Sequence, residues 1–251
     1  MTASRLDERL VQDGLAETRT RAQALIRAGQ VLVDDMPQDK PGTRVRDASR
    51  IRVRGEVKRF ASRGGEKLAG ALDDLGMSVA GRACLDVGAS TGGFTDCLLQ
   101  RGAASVVAVD VGYGQLDPRL RGDPRVHVRE RTNARHLEPE ALPGPVSLVT
   151  ADVSFISLRL LVPALARCAP AAEWLLMVKP QFEVGPERVG KGGVVRDDAL
   201  RAEAADAVSA EARHFGFDER GRCDSRLAGP RGNREIFLWL LPRAGCRSGS
   251  A

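Results

Sequence analysis

Apolar residues recur at helical and then at extended spacing along the first 55 residues. Two short blocks at 6–11 and 22–26 repeat every three or four positions, which predicts two short helices. Thr18 is placed to cap the second of them. Alternation at 31–33 and again at 51–54 is typical of short strands. Helices followed by strands predict one compact α+β module.

A longer pattern of buried apolar runs and helical stretches follows. The predicted parallel strands are 83–87, 106–110, 126–128, 146–152 and 174–178. A long helix is predicted at 197–214, and 222–226 and 235–241 flank a glycine-rich turn, as in a hairpin. Alternating strands and helices are typical of a doubly wound parallel sheet, so the hairpin is expected to close one edge. Five parallel strands and two hairpin strands give a seven-stranded, mostly parallel α/β sheet.

These patterns divide the chain into four segments. Residues 1–55 form the small module and 56–65 a basic, glycine-terminated linker. Residues 66–245 form the α/β domain, and a disordered tail is expected at 246–251.

The distribution of charge and the spacing of the cysteines indicate which partners and which bound groups the protein has. Residues 1–60 hold 13 basic against 9 acidic residues, whereas the rest of the chain holds 25 against 24. The basic excess is therefore N-terminal, which suggests a polyanionic partner for that module. The five cysteines and three histidines show no metal-ligand spacing, so we expect reduced thiols and no metal. No apolar run is long enough for a membrane helix, and a cytoplasmic protein is expected.

The N-terminal module carries arginines near one helix face, which suits phosphate contacts, although a solvated basic face explains them equally well. The stretch RLDERLVQDGLAETRTRAQALIRAGQVLVDD resembles the S4-like RNA-binding domain. This resemblance implies RNA contacts by the arginines of the module. The residues expected to contact RNA there, in the linker and in the loop 185–195 are Arg5, Arg19, Arg21, Arg27, Lys58, Arg59, Arg63, Arg188 and Lys191.

A glycine-rich turn after the first α/β strand predicts a ligand site. The sequence CLDVGASTGGFT lacks the GxGxxG spacing of a dinucleotide-binding turn, which argues against a nicotinamide-dependent dehydrogenase. Its looser spacing suits S-adenosylmethionine. Asp110, at the end of the next strand, can accept hydrogen bonds from ribose hydroxyls, and Asp86 is expected at the amino-acid end of the cofactor. The expected cofactor-binding residues are Asp86, Gly88, Ser90, Thr91, Gly92, Gly93, Phe94, Asp110, Asn133 and Asp152. A structural turn with a capping aspartate is the alternative.

Four charged residues are candidates for catalysis of transfer to a hydroxyl group. Such transfer needs in-line positioning and a group that orients or accepts the proton. Lys67, Asp152, Lys179 and Glu235 are the candidates, of which Asp152 and Lys179 end predicted strands, where ligands bind in such sheets. Taken singly, each is more often a surface charge or an ion-pair partner.

Together the motifs match a known family. SRGGEKL, DVGASTGGFTD, DVSFIS, VKPQFE and GPRGNRE, in this order after an S4-like domain, resemble the TlyA family of rRNA 2'-O-methyltransferases, also called hemolysins. The resemblance implies a Rossmann-like, FtsJ-like methyltransferase domain, with Lys67, Asp152, Lys179 and Glu235 as its catalytic tetrad. It also implies S-adenosylmethionine as donor and a cytidine of ribosomal RNA, in free RNA or ribosomal subunits, as acceptor.

Two other classes of function were weighed. A non-catalytic RNA-binding or ribosome-assembly factor would keep the sheet but not the tetrad, and all four tetrad residues are present. A pore-forming hemolysin is disfavoured by the α/β pattern. Ser225, Asn233 and the loop 185–195 are expected to shape the RNA side of the site, although a flexible surface loop explains the glycines there equally well.

Overall fold

The structure is a computed structural model that describes residues 3–54 and 59–243. Two compact units make up the chain, Met1–Lys58 and Arg59–Ala251. Lys58, Cys246 and the expected tail 246–251 lie outside the described residues.

The N-terminal unit combines two helices with short antiparallel strands. Its elements are β1 (Ala3–Arg5), α1 (Leu6–Gln12), α2 (Arg19–Arg27), β2 (Val31–Val33), β3 (Met36–Gln38), β4 (Arg44–Arg46) and β5 (Ile51–Val53). β1 pairs with β4, and β2 lies between β3 and β5. The two predicted helices, with β2 and β5, are present. β1, β3 and β4 were not predicted, because ASR, MPQ and RVR do not hold two β-branched residues, as VLV of β2 and IRV of β5 do.

Apolar helix faces form the core of this unit. Leu6 and Leu10 of α1 pack with Ala22 and Ile26 of α2, and all four are completely buried. Thr18 caps α2, as predicted, since its side chain accepts a hydrogen bond from the Arg21 backbone N–H.

The C-terminal unit is a layered α/β structure. Its helices are α3 (Arg63–Asp74), α4 (Gly93–Gln100), α5 (Pro118–Arg121), α6 (Val162–Cys168) and α7 (Asp198–His214). Its strands are β6 (Ala83–Val87), β7 (Ser105–Val109), β8 (Val126–Arg129), β9 (Leu148–Ala151), β10 (Glu173–Val178), β11 (Phe217–Asp224) and β12 (Ile236–Pro242). Short 3-10 turns lie at Ala134–His136, Pro139–Ala141, Leu158–Leu160, Pro180–Phe182 and Pro186–Arg188.

Within residues 59–243 these seven strands form one sheet in the order β11-β12-β10-β9-β6-β7-β8. β10, β9, β6, β7 and β8 run parallel, whereas β12 pairs antiparallel with both β10 and β11. The predicted mostly parallel sheet with an antiparallel edge hairpin is therefore confirmed. β9 and β6 are central neighbours, so the loops that follow them meet at one edge of the sheet.

Strand residues pack alternately on the two faces of the sheet. On β10, Trp174 and Leu176 pack on the face covered by α6 and α7, whereas Leu175 and Met177 face α3 and α4. All four of these side chains are at most 1% exposed, so the sheet is a rigid base for its loops.

Two boundaries differ from the sequence expectation. The predicted linker does not extend to residue 65, because Ser62 caps α3 and Phe60 is 2% exposed in the core of the C-terminal unit. β11 begins at Phe217, five residues before its predicted start. The prediction missed the first half of this edge strand because exposed, mostly charged residues alternate there with buried or half-buried ones, so no apolar run marks it.

Candidate active site

Glycines let the turn between β6 and α4 approach two other segments closely. Gly88 has φ of +85°, and a Cβ atom there would lie 2.5 Å from the Asp152 carbonyl oxygen. A Cβ atom at Gly93 would collide with the Ser62 hydroxyl. The turn therefore lies directly against the loop that follows β9, and a bulkier residue would separate them.

Asp110 fixes the far side of this turn. Its carboxylate accepts hydrogen bonds from the backbone N–H groups of Ser90, at 2.8 Å, and of Gly112, at 2.7 Å. Asp110 and Asn133 line a cavity of about 440 Å³. That volume is within the range of small-molecule sites.

Asp86 and Gly92 occupy positions that differ from expectation, because neither lines a cavity of the site. The Asp86 carboxylate is completely buried and accepts hydrogen bonds from Thr95 Oγ1, at 2.6 Å, and from Thr150 Oγ1, at 3.3 Å. Burial raises its pKa to about 7. Asp86, on β6, thus connects α4 to β9 through hydrogen bonds. Gly92 packs against Leu120, where a Cβ atom would collide.

Lys179 follows β10 and reaches the loop after β9. Its Nζ lies 2.6 Å from Asp152 Oδ1 and donates a hydrogen bond of 2.7 Å to Ser154 Oγ. The Lys179 and Asp152 side chains are 13% and 25% exposed. The ammonium group is therefore held in one place at the edge of the sheet while remaining accessible.

Lys67 and Glu235 form a second, more deeply buried ion pair. Lys67 Nζ lies 2.7 Å from Glu235 Oε1, and the two side chains are 8% and 4% exposed. Glu235 Oε2 is buried and has no hydrogen-bond partner among the described residues. A buried acceptor without a partner has a free-energy cost, so it is available to a ligand donor.

Both ion pairs line one cavity of about 870 Å³. This cavity shares Gly88, Ser90, Asp152, Ser154 and Phe155 with the smaller cavity beside Asp110. The structure thus brings together the four charged residues singled out in the sequence, and it places Asp152 between two adjoining compartments.

The large cavity also contains residues that the sequence did not single out. Phe155 is 91% exposed and has φ of +65°, and its ring lies 5.4 Å from that of Phe182. Gln181 Oε1 is buried, with no hydrogen-bond partner in the described part of the chain. Ser154, which bonds Lys179, was also missed. All of these lie within or beside the quoted motifs, but residue type alone does not reveal exposure or a missing partner.

Family comparisons assign both units. The model of the FtsJ-like methyltransferase family matches residues 60–241, and that of the S4 domain matches residues 4–51. The 16S/23S rRNA (cytidine-2'-O)-methyltransferase TlyA of Mycobacterium tuberculosis is 54% identical over 239 residues, which are 94% of this chain and 89% of the relative. The chain belongs to the TlyA family of FtsJ-like methyltransferases.

Solved structures agree with this assignment. One from Streptococcus thermophilus, solved under the name of a hemolysin, has a TM-score of 0.73 and 41% identity, and covers 96% of this chain and 89% of its own. An S-adenosylmethionine dependent methyltransferase from Listeria monocytogenes shares the fold at a TM-score of 0.53 and 12% identity, covering 73% of this chain and all of its own. In the described segments, no helix is long and apolar enough to cross a membrane. Residues 3–54 and 59–243 contain no cluster of three or more potential metal ligands.

The arginines expected to contact RNA in this TlyA-family chain have different surroundings. Arg5 and Arg19 each donate to the completely buried Asp7 carboxylate, whereas Arg21 and Arg27 are exposed on α2. The pKa of Asp7 is held well below its usual range, chiefly by the hydrogen bonds from Arg5. Two of the four expected RNA contacts in the S4 unit are thus held by one carboxylate.

Of the residues of the C-terminal unit that were expected to contact RNA, only Arg63 lines the large cavity. Arg63 lines it and donates to the Ala228 carbonyl oxygen. Arg59 lies over the Phe60 ring, and Arg188 pairs with Glu203 on α7. Neither of these two lines the cavity, and neither does the exposed Lys191.

Asn233 organises the glycine loop beside the cavity. Its side chain accepts a hydrogen bond from Val195 N–H, at 2.9 Å, and donates one to the Gly193 carbonyl oxygen, at 2.8 Å. Asn233 is 4% exposed and lines the cavity, so it connects β12 to the loop 185–195. Ser225 is also buried and donates to the Leu227 carbonyl oxygen.

Proposed function

We propose that this protein transfers a methyl group from S-adenosylmethionine to the ribose 2'-hydroxyl of cytidine in ribosomal RNA. The observation that carries the proposal is that the Lys179–Asp152 and Lys67–Glu235 pairs line one cavity, which adjoins the compartment beside Asp110. The activity in the name of the Mycobacterium tuberculosis relative supports the same acceptor.

The smaller compartment suits the donor. Asp110 follows β7 and offers carboxylate oxygens to ribose hydroxyls, and Asn133 lines the same compartment. Gly88, which both compartments share, leaves room where they join. S-adenosylmethionine, when bound, supplies an electrophilic methyl group on a sulfonium sulfur. Ser90 and Asp152 also line both compartments and would hold the donor at the same junction.

Lys179 is positioned to act on the 2'-hydroxyl. Asp152 and Ser154 fix its Nζ, so that it can orient the ribose hydroxyl for in-line attack on the methyl group. As the C–O bond forms and the methyl–sulfur bond breaks, the hydroxyl proton would pass to the Lys179–Asp152 pair. Lys67 and Glu235 line the same cavity, and Glu235 Oε2 can accept a hydrogen bond from the acceptor nucleotide there. Each charged residue thereby has a separate task in positioning the two reactants.

The rest of the molecule supplies RNA affinity. Phe155 presents an exposed ring at the mouth of the cavity, where an unstacked base can stack on it. Residues 1–55 would act as the RNA-binding module, with Arg5, Arg19, Arg21 and Arg27 meeting phosphates. Residues 59–243, which include the segment 59–65 beside the cavity, would supply the chemistry. A ribosomal RNA substrate would be met in the cytoplasm, which is therefore the localisation that we propose.

Nucleoside mass spectrometry of ribosomal subunits treated with purified protein and S-adenosylmethionine tests the proposal. The wild type should produce 2'-O-methylcytidine, and Lys179→Met should produce none while binding donor and RNA normally. Arg213→Met, which removes an exposed cation of α7 that lines neither cavity, is the matched control and should be fully active. A folded wild-type protein that binds RNA but leaves every nucleoside unchanged would favour a ribosome-assembly factor instead.

A further inference from the structure

A buried carboxylate outside the tetrad connects the two loops that carry Asp152 and Lys179. Glu183 follows the 3-10 turn after Lys179, and its side chain is 1% exposed. Its Oε1 accepts a hydrogen bond of 2.7 Å from Leu158 N–H, and its Oε2 accepts one of 2.5 Å from Ser157 Oγ. The loop after β10 therefore holds the loop after β9 through both oxygens of one side chain.

Arg159 adds to the same junction from the solvent side. Its Nε lies 3.4 Å from Glu183 Oε2, and its Nη2 donates a hydrogen bond of 3.2 Å to the Glu183 backbone carbonyl oxygen. Burial nevertheless raises the pKa of Glu183. Burying a carboxylate costs free energy unless it is hydrogen-bonded, so an apolar side chain would fill this position at a lower cost. The hydrogen bonds of Glu183, rather than its packing, therefore explain why a carboxylate stands here.

Phe155 lies between two attachment points of this loop. Ser154 is held by Lys179 on one side and Ser157 by Glu183 on the other. Between them the Phe155 backbone has φ of +65°, a left-handed conformation that is unfavourable for a residue with a large side chain. Such a conformation persists only where neighbouring contacts impose it.

We propose that Glu183 is a positioning residue that holds the 154–158 loop so that the Phe155 ring stays exposed at the mouth of the cavity. The inference rests on the proposed function in that Phe155 stacks on the target base. Glu183 itself touches neither reactant. It acts through Ser157 and Leu158, and its loss should affect recognition of RNA before it affects donor binding.

Steady-state kinetics on ribosomal subunits with Glu183→Leu, Phe155→Ala and the double variant test this link. We expect Glu183→Leu to raise the KM for RNA about tenfold, as loss of one base–aromatic stack would. Donor affinity should change less, because Ser154 and Phe155 form only part of the donor compartment. Combining it with Phe155→Ala should add nothing to the effect of Phe155→Ala alone, because both remove the same contact. Additive effects in the double variant, or an unchanged KM in Glu183→Leu, would overturn the proposal.

Milder variants keep the test valid if leucine disrupts folding. Glu183→Gln can still accept from Leu158 N–H and donate to Ser157 Oγ, so it should restore a KM near that of the wild type. Ser157→Ala removes one attachment and should raise the KM for RNA to an intermediate value. Ser147→Ala, which removes a serine hydroxyl at the opposite end of β9, is the matched control. An inactive Glu183→Gln with normal folding would contradict the positioning role.

A measurement that does not depend on methyl transfer distinguishes this inference from the proposed function. Fluorine NMR of protein labelled with 4-fluorophenylalanine assigns the Phe155 signal as the one lost in Phe155→Leu. We expect one sharp Phe155 resonance in the wild type and in Glu183→Gln, and a shifted or broadened one in Ser157→Ala. Identical spectra would refute the loop restraint even if methylation is established. If the spectra are as expected but no RNA is methylated, the restraint of the 154–158 loop by Glu183 would be supported and the proposed methyltransferase function refuted.

Discussion

Replacing Lys67 with methionine shows whether the Lys67–Glu235 pair serves chemistry or stability. Lys67 Nζ lies 2.7 Å from Glu235 Oε1 in a site where the two side chains are 8% and 4% exposed. Methionine keeps most of the length of the lysine side chain but removes the ammonium group. The Glu235 carboxylate then remains buried without its partner, while the packing around residue 67 changes little.

The expected loss follows from the depth of the pair. Removing one partner of a buried ion pair costs about 3–5 kcal/mol of unfolding free energy. For a domain of this size, 1 kcal/mol corresponds to roughly 2–4 °C in melting temperature, so a fall of about 6–20 °C is expected. Because Glu235 Oε2 already has no partner among the described residues, the wild type bears part of this cost, and we expect the lower half of the range.

The double variant Lys67→Met with Glu235→Leu separates the two explanations. It buries two apolar side chains in place of two charges, so its unfolding free energy should return to within about 1 kcal/mol of the wild type or exceed it. Its methyl transfer should nevertheless be abolished. Urea unfolding followed by tryptophan fluorescence and transfer from labelled donor measure the two properties.

An exposed ion pair provides the control for this experiment. Arg213→Met removes one of the two arginines that pair with Asp218, the other being Arg243. The Arg213 and Asp218 side chains are both more than half exposed, so the variant should leave the melting temperature nearly unchanged. A loss below about 1 kcal/mol in Lys67→Met would show that the pair is not buried in solution. A double variant as unstable as Lys67→Met would show that the pair contributes to stability itself.

Three further predictions concern buried or shared carboxylates. Asp7→Asn should weaken RNA binding by the S4 unit about tenfold, because Arg5 and Arg19 lose the negative charge and one of the two acceptor oxygens that hold them; filter binding at several salt concentrations measures this. Asp86→Asn should remove a pH dependence of stability. The pKa of Asp86 is raised to about 7, so its stabilising contribution is complete below pH ~4 and is lost as the pH rises towards 7, by up to ~4 kcal/mol. Urea unfolding from pH 4 to 8 would then show a smaller decline in the variant. Asp110→Ala should weaken donor binding in calorimetry without unfolding the protein, and unchanged affinity would mean that the donor compartment is misassigned.

The sheet could be predicted closely where strands are buried on both faces. β6, β7, β9 and β10 are short, mainly apolar runs, whereas the edge strand β8 is VHVR. The bounds of all five strands differ from the prediction by two residues at most. β11 was placed less well, because FDERGRCD alternates buried and exposed residues among charges, so its first half is not apolar. The order of the strands follows from tertiary pairing, which periodicity does not encode.

The candidate site could be predicted in part. Lys67, Asp152, Lys179 and Glu235 come from four separate segments, and only the family resemblance indicated that they meet. Asp86 was expected at the cofactor, but its two carboxylate oxygens accept hydrogen bonds from the Thr95 and Thr150 hydroxyls within the protein. The exposure of Phe155 and the burial of Glu183 depend on how two loops fold against each other, and residue type does not reveal either.

The position of the transferred methyl group tests the central claim most directly. Ribosomal RNA methylated by the purified protein with radiolabelled S-adenosylmethionine is hydrolysed in alkali, which needs a free 2'-hydroxyl at each cleaved linkage. The account predicts that the label appears in alkali-resistant dinucleotides with cytidine at the 5' position, and that Lys179→Met gives none. Label in mononucleotides would place the methyl group on a base and contradict the account.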